Sequence, residues 1–321
     1  MPRARGGCGL PSREPAAPFL VGFTAYKGGT GKSTVAFNVG LEFARYYQGF
    51  DGVPRRPVVF FDLDPQGRSD EGGRTLKKMF EDGPFRLRSL HSPIPELDVQ
   101  VVEYDPDEPV PVDGVNGSFG SYGLVDSDAS FAPALLAVPK NIRIRRVKPL
   151  RRLLAAANEL LFQYLEDRGS LDSKLREYLS SPPLGVVDTP PMNAASDTFA
   201  GILTQVDLVI PVVDPENVRQ LSLFCKLYVT RLAVVNRVPP DGLTREAKFF
   251  DGVLNRILNK IPLNKDEVVK IPERPVIRFA SALGIPVRAR PDKRHSGYFR
   301  EVARHIRADW NRRRYGSGVR I

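Results

Sequence analysis

The chain is expected to fold as an α/β protein, with a doubly wound, mostly parallel sheet flanked by helices. Apolar runs at 19–25, 58–62, 185–188, 208–213 and 232–236 are continuous and rich in β-branched residues. Strands buried on both faces of a parallel sheet carry that pattern, because neither face meets water. Stretches at 34–47, 149–167, 215–228 and 245–260 are each long enough for a crossover helix. Strand and helix in alternation argue for parallel pairing.

The composition supports a folded core. The chain has 321 residues, 42% of them hydrophobic, which suits one large domain or two small ones and excludes a disordered chain. Its two cysteines, Cys8 and Cys225, form no Cys-x-x-Cys pair, which argues against a zinc ribbon, a thiol redox pair or a disulfide framework. A reducing interior is the natural compartment. Apolar runs stop well short of a membrane span, and 1–18 lacks the apolar centre of a signal peptide. The formal net charge is +10. Such a surface attracts polyanions such as DNA, although an arginine-rich genome gives the same balance.

The expected layout is a tail at 1–17, a single domain over 18–310 and a basic tail at 311–321. The segment 68–133 is rich in Gly-Pro, Asp-Pro and Gly-Ser. It is expected to be an irregular insertion with scattered strands near 99–104.

The strongest motif is Lys27-Gly28-Gly29-Thr30-Gly31-Lys32-Ser33-Thr34, between the first strand and the first helix. Glycines let backbone amides turn inward to cradle phosphate oxygens, and the helix N-terminus adds partial positive charge. Lys32 is expected to reach the β- and γ-phosphates and Ser33 to ligate Mg²⁺. The standard G-x-x-x-x-G-K-[ST] pattern wants glycine at 26, where this chain has Tyr26 followed by Lys27. Two further strands end in acids. One leads to Asp62-Leu63-Asp64-Pro65-Gln66-Gly67, the other to Asp188-Thr189-Pro190-Pro191. Ligands bind beyond the carboxyl ends of such strands, and Asp188 suits a Mg²⁺-holding role.

The variant loop, the D-x-D-P-Q-G segment and the D-T-P-P segment together resemble the ParA/MinD family of ATPases, the P-loop proteins with a deviant Walker A loop. The resemblance covers most of 19–310 outside the insertion. It implies ATP and Mg²⁺ as ligands, and a homodimer with ATP sandwiched between subunits. It also implies that Lys27 reaches the partner's nucleotide, that Asp64 positions the attacking water and that Asp62 lies near the metal. Asn236, in Val234-Val235-Asn236-Arg237, falls at the family's base-recognition position, though an Asn ending a strand also forms turns. Pro272 falls near the base. The chain departs from the family at Arg68, where Asn is usual, and at Glu273, where the family has Arg.

Within that family the chain looks most like ParA-type partition ATPases, which bind DNA non-specifically and act with a ParB-like partner in the cytoplasm, on the nucleoid. DNA contacts are then expected at Arg245, Lys248, Arg256, Lys260 and Arg274, through phosphates alone. A MinD-like membrane-associated ATPase and a small-molecule phosphotransferase are the alternatives. The stripe Phe299, Val302, Ala303, Ile306 and Trp310 suits either a membrane-surface helix or a last helix packed on the sheet. Glu301 and Asp309 dilute its basic face, which favours packing and no stable membrane insertion.

Overall fold

The computed structural model describes residues 17–45, 56–64, 75–105, 131–140, 149–193, 196–239, 244–287 and 294–315. Among the described residues, nine strands form one sheet: β1 (Phe19–Thr24), β2 (Val58–Asp62), β3 (Phe85–Leu90), β4 (Leu97–Tyr104), β5 (Ala134–Pro139), β6 (Leu184–Asp188), β7 (Leu208–Val213), β8 (Ala233–Val238) and β9 (Val268–Pro272). Their spatial order is β3-β4-β5-β2-β6-β1-β7-β8-β9. The seven strands from β5 to β9 along this order pair in parallel. β3 and β4 close one edge antiparallel. The expected doubly wound, mostly parallel sheet is therefore present.

The central strands β1, β2, β6 and β7 are buried at every position, as their unbroken apolar sequences require. Helices cover both faces. α1 (Lys32–Ala44), α2 (Leu76–Asp82), α8 (Pro275–Ala282) and α9 (Arg294–Tyr315) bury their apolar residues in one cluster. On the other face, α3 (Pro149–Asp167), α4 (Ser173–Leu179) and α5 (Ser196–Leu203) pack on β2, β5 and β6. α6 (Leu221–Leu227) and α7 (Arg245–Leu258) cover the β7–β9 side. α7 starts where the Thr244 hydroxyl accepts from the Ala247 amide at 3.1 Å; such a cap satisfies an otherwise orphaned donor.

Two expectations are corrected. The segment 68–133 is not irregular throughout, because 75–105 supplies α2, β3 and β4. Its Gly83-Pro84 turn resembles loop sequence, and β3 is an edge strand with polar outward positions. A chain of ring contacts fixes this region to the core. Phe80 meets Phe37 and Phe60 edge-on at 5.0 Å, Phe85 follows at 5.1 Å, and Tyr104 meets Phe85 at 5.6 Å. Residues 68–74 and 106–130 lie outside the described residues. Residues 311–315, expected in a tail, belong to α9, which runs to Tyr315; the rest of that expected tail lies outside the described residues.

The α9 stripe belongs to the core. Phe299, Val302, Ala303, Ile306 and Trp310 are all buried. Trp310 stacks on Phe19 at 5.2 Å, and its Nε1 donates to the Ala17 carbonyl at 3.0 Å. In this fold the stripe has no free face for a membrane. Among the described residues, no helix is long and apolar enough to cross one.

Packing at Gly40 gives one stability test. A Cβ there would lie 2.2 Å from Cε1 of the buried Phe60 ring. Helix propensity favours Gly40→Ala by about 1 kcal/mol, but overpacking a core costs about 1–3 kcal/mol. The substitution is expected to destabilise the protein, read as a lower midpoint in chemical denaturation with an unchanged slope.

Candidate active site

Three adjacent strands assemble the site. In the order β2-β6-β1, β6 carries Asp188 at its carboxyl end, and Asp62 of β2 is its register partner. β1 pairs with β6 on the other side and leads into the glycine loop. All three motifs therefore open at one end of the sheet, where strand ends leave a crevice.

The loop conformation depends on its glycines. Gly29 and Gly31 have φ of 79° and 84°, the left-handed region that glycine enters without steric cost. At Gly31 a Cβ would also lie 2.2 Å from Asn236 Nδ2. Asn236 is buried and donates to the Thr30 carbonyl at 2.8 Å. The side chain expected at the base thus holds the loop across the sheet. Tyr26, in place of the usual glycine, packs against a cluster of Leu203, Val209 and Phe224.

Lys32, the first residue of α1, is 5% exposed. Its ammonium donates to Asp188 and lies 3.3 Å from Asp64. Burial pulls its pKa down, but Asp188 and Asp64 outweigh that and hold it above the ordinary lysine value. Burial pushes the Asp188 carboxyl up against the pull of Lys32, and Ser33 also bonds to it. Asp62 is pushed up to about 7, first by burial and then by the Asp188 charge, although the Lys77 amide donates to it. That bond, to Asp62 Oδ2, is 2.7 Å. It ties the start of α2, where Thr75 caps the helix, to the site. Sequence reading missed this link, although Thr75 before a short amphipathic run is an N-cap signal.

Lys27 points elsewhere. Its ammonium lies 3.1 Å from Glu216 and 4.0 Å from Asp214, and its side chain is 38% exposed. The two loop lysines therefore occupy opposite environments, one buried among carboxylates and one near the surface.

A cavity of about 310 Å³ runs from the loop to Asn236, Pro272, Arg274 and Arg278. Arg237 lines it in the left-handed region with φ 59°, at a register shift between β8 and β9. Such strain in a non-glycine residue concentrates at functional sites. Arg274, expected on a DNA surface, is half-buried in this cavity wall. Arg245, Lys248, Arg256 and Lys260 are exposed on and just beyond α7. Pro65, Gln66, Gly67 and Arg68 lie outside the described residues.

The donor set fits Mg²⁺. Among the described residues, Asp62 Oδ1 and Asp188 Oδ2 are buried without a hydrogen-bond partner, and the Ser33 hydroxyl bonds to the Asp188 carboxyl. Among the described residues no group of three or more His, Cys, Asp or Glu could hold a metal by itself. Mg²⁺ commonly takes one or two protein oxygens and completes its shell with phosphate and water, so this set suits it when a nucleotide is present.

No family model matches the chain, and no curated protein matches it. Solved structures do. A putative plasmid partition protein of Borrelia burgdorferi bound to AMPPNP is 17% identical, with 92% of this chain and 99% of that chain covered and a TM-score of 0.43. The MinC:MinD cell division protein complex of Aquifex aeolicus gives 15%, 90%, 96% and 0.44. The septum site-determining protein MinD of Pyrococcus horikoshii complexed with Mg-ADP gives 13%, 95%, 100% and 0.42. The solved structures named here are thus a plasmid partition protein and two MinD structures, at a distance where the likeness assigns no role to any residue.

Proposed function

We propose that the chain is a ParA-type ATPase. It binds ATP with Mg²⁺, pairs with a second copy around the nucleotide and holds DNA non-specifically in that state. It moves plasmid or chromosomal DNA with a ParB-like partner that speeds a slow hydrolysis. The observation that carries this reading is the pair of loop lysines, Lys32 buried against Asp188 and Asp64 and Lys27 exposed beside Glu216.

The loop amides and Lys32 hold the β- and γ-phosphates. To do so Lys32 exchanges its carboxylate partners for phosphate oxygens. Ser33 and Asp188 would hold Mg²⁺, which when bound neutralises charge on those phosphates. Asp64, released from Lys32, orients water for in-line attack. Lys27 leaves Glu216 and meets the partner's nucleotide, adding a cation only when two copies close. Arg245, Lys248, Arg256 and Lys260 contact DNA phosphates. Arg274 serves from the cavity wall. Pro272 lies against the base.

Lys27→Ala is expected to keep ATP affinity within a few-fold while turnover falls by about 10³, the scale of a cation supplied in trans. Isothermal titration alongside phosphate release separates the two effects. Full turnover in this variant would remove the trans lysine from the mechanism. The reading as a whole is tested by binding to arbitrary duplex DNA with ATP, ADP or no nucleotide. Binding that needs ATP, ignores sequence and weakens by about 10²-fold or more between about 50 and 200 mM salt supports it. Failure to bind DNA in every nucleotide state removes the partition role.

A further inference from the structure

The outer face of α7 carries a feature that phosphate contact does not require. Positions 245, 248, 249, 252 and 256 share one side of the helix by its period. They present Arg245, Lys248, Phe249, Gly252 and Arg256, while Ala247, Phe250, Leu254 and Leu258 bury the opposite side. Phe249 is 74% exposed, the most exposed large hydrophobic side chain among the described residues. Arg245, Lys248 and Arg256 form no ion pair among the described residues. Gly252 lies one turn beyond Phe249, and a Cβ there would meet nothing within 4 Å. Glycine weakens a helix interior, and no neighbour demands it here. Two locally unfavourable choices thus sit side by side, an exposed ring and an unexplained glycine, bordered by unpaired cations.

We propose that this face binds single-stranded nucleic acid, with a base stacked on Phe249 across the open step at Gly252 and the flanking phosphates on Arg245, Lys248 and Arg256. The inference rests on the polyanion-binding reading above and deepens it. Aromatic side chains among cations are how proteins hold single strands without reading sequence, because every base offers a flat face. In a duplex those faces are stacked away, so duplex binding gains from the cations and little from the ring. A membrane surface would call for a broad apolar stripe, whereas this face has a single large apolar side chain.

The test is fluorescence anisotropy on the full chain with Mg-ATP, using a labelled thymidine oligonucleotide and a duplex of equal length. Phe249→Ala is expected to weaken the single strand about tenfold and the duplex less than about twofold. Gly252→Ala is expected to weaken the single strand as well, while raising Tm by about 2 °C through helix propensity. A purely structural Gly252 would raise Tm and leave binding unchanged. Single-strand affinity that ignores both substitutions, with duplex binding intact, overturns this inference and leaves the partition reading standing. Single-strand binding through Phe249 without duplex binding does the reverse. Binding to neither overturns both, and Phe249-dependent pelleting with anionic vesicles in place of single-strand binding overturns the nucleic-acid assignment.

Discussion

Lys32→Ala is expected to reduce ATP turnover by a factor of about 10³ or more and to destabilise the nucleotide-free protein by about 3 kcal/mol. The first effect follows from the proposed role of Lys32 on the loop, as the buried cation that meets the β- and γ-phosphates. The second follows from what surrounds it. Its removal leaves Asp188, fully buried, and Asp64 facing each other without the ammonium between them. Breaking a buried pair by deleting one partner typically costs about 3–5 kcal/mol, and the half-buried Asp64 recovers some of that through water. The sign with pH is definite. The Lys32 pKa is raised above its ordinary 10.5, so its stabilising contribution is complete below that value and is lost only as pH rises through the folded one. At neutral pH the whole effect is present. Urea denaturation and phosphate release read the two consequences separately. A variant as stable as the wild type would contradict the charge arrangement described here.

Asp62→Asn is expected to act in the opposite direction on stability. The Asp62 carboxyl is pushed up to about 7 from its ordinary 3.8, because it is buried and faces the Asp188 charge. The folded protein therefore holds a proton there that the unfolded chain has released. Stability falls as pH rises from about 4 to about 7 as this cost accumulates. Asparagine carries no such charge and can still accept from the Lys77 amide. The variant should therefore be more stable than the wild type by about 2–4 kcal/mol at pH 8, in the absence of nucleotide. The gap should close near pH 4. Thermal melts across pH 4–8 measure it, and a gap independent of pH would contradict the assignment. Turnover in the same variant should fall, since the site loses a carboxylate beside the proposed metal position. Stabilising an active site at the expense of activity is a common trade.

The parts of the fold legible from sequence were those fixed by local pattern. β1, β2, β6 and β7 announce themselves because burial on both faces forces unbroken apolar runs. β3 did not, because an edge strand keeps one side polar and its Gly83-Pro84 entrance resembles a loop. Its place depends on rings from distant segments, such as Phe37 and Phe60 around Phe80. The site divides in the same way. Lys32, Asp188 and the glycines were legible as a motif, because residue types recur there at fixed spacings; their work on phosphate and metal is the proposal above. The partner of Asp62 was not, since the Lys77 amide arrives across a Gly-rich stretch that sequence reading treated as insertion. Nor was the tie from Asn236 to Thr30, whose residues are 206 positions apart. Asn236 carried a base-recognition expectation; it lines the cavity, and its amide also ties to the loop. Tyr26 stands where the standard loop has glycine, and its ring is absorbed by the neighbouring apolar cluster.

The measurement that bears most directly on the central proposal is the solution mass of an Asp64→Ala variant, with and without Mg-ATP. The proposed role of Asp64 is to orient water, so this variant should bind ATP and fail to consume it. Its mass should double on adding ATP, return to that of a monomer with ADP, and stay monomeric when Lys27→Ala is added. A mass that is the same in every nucleotide state would contradict pairing around ATP, and with it the account of why this loop carries two lysines.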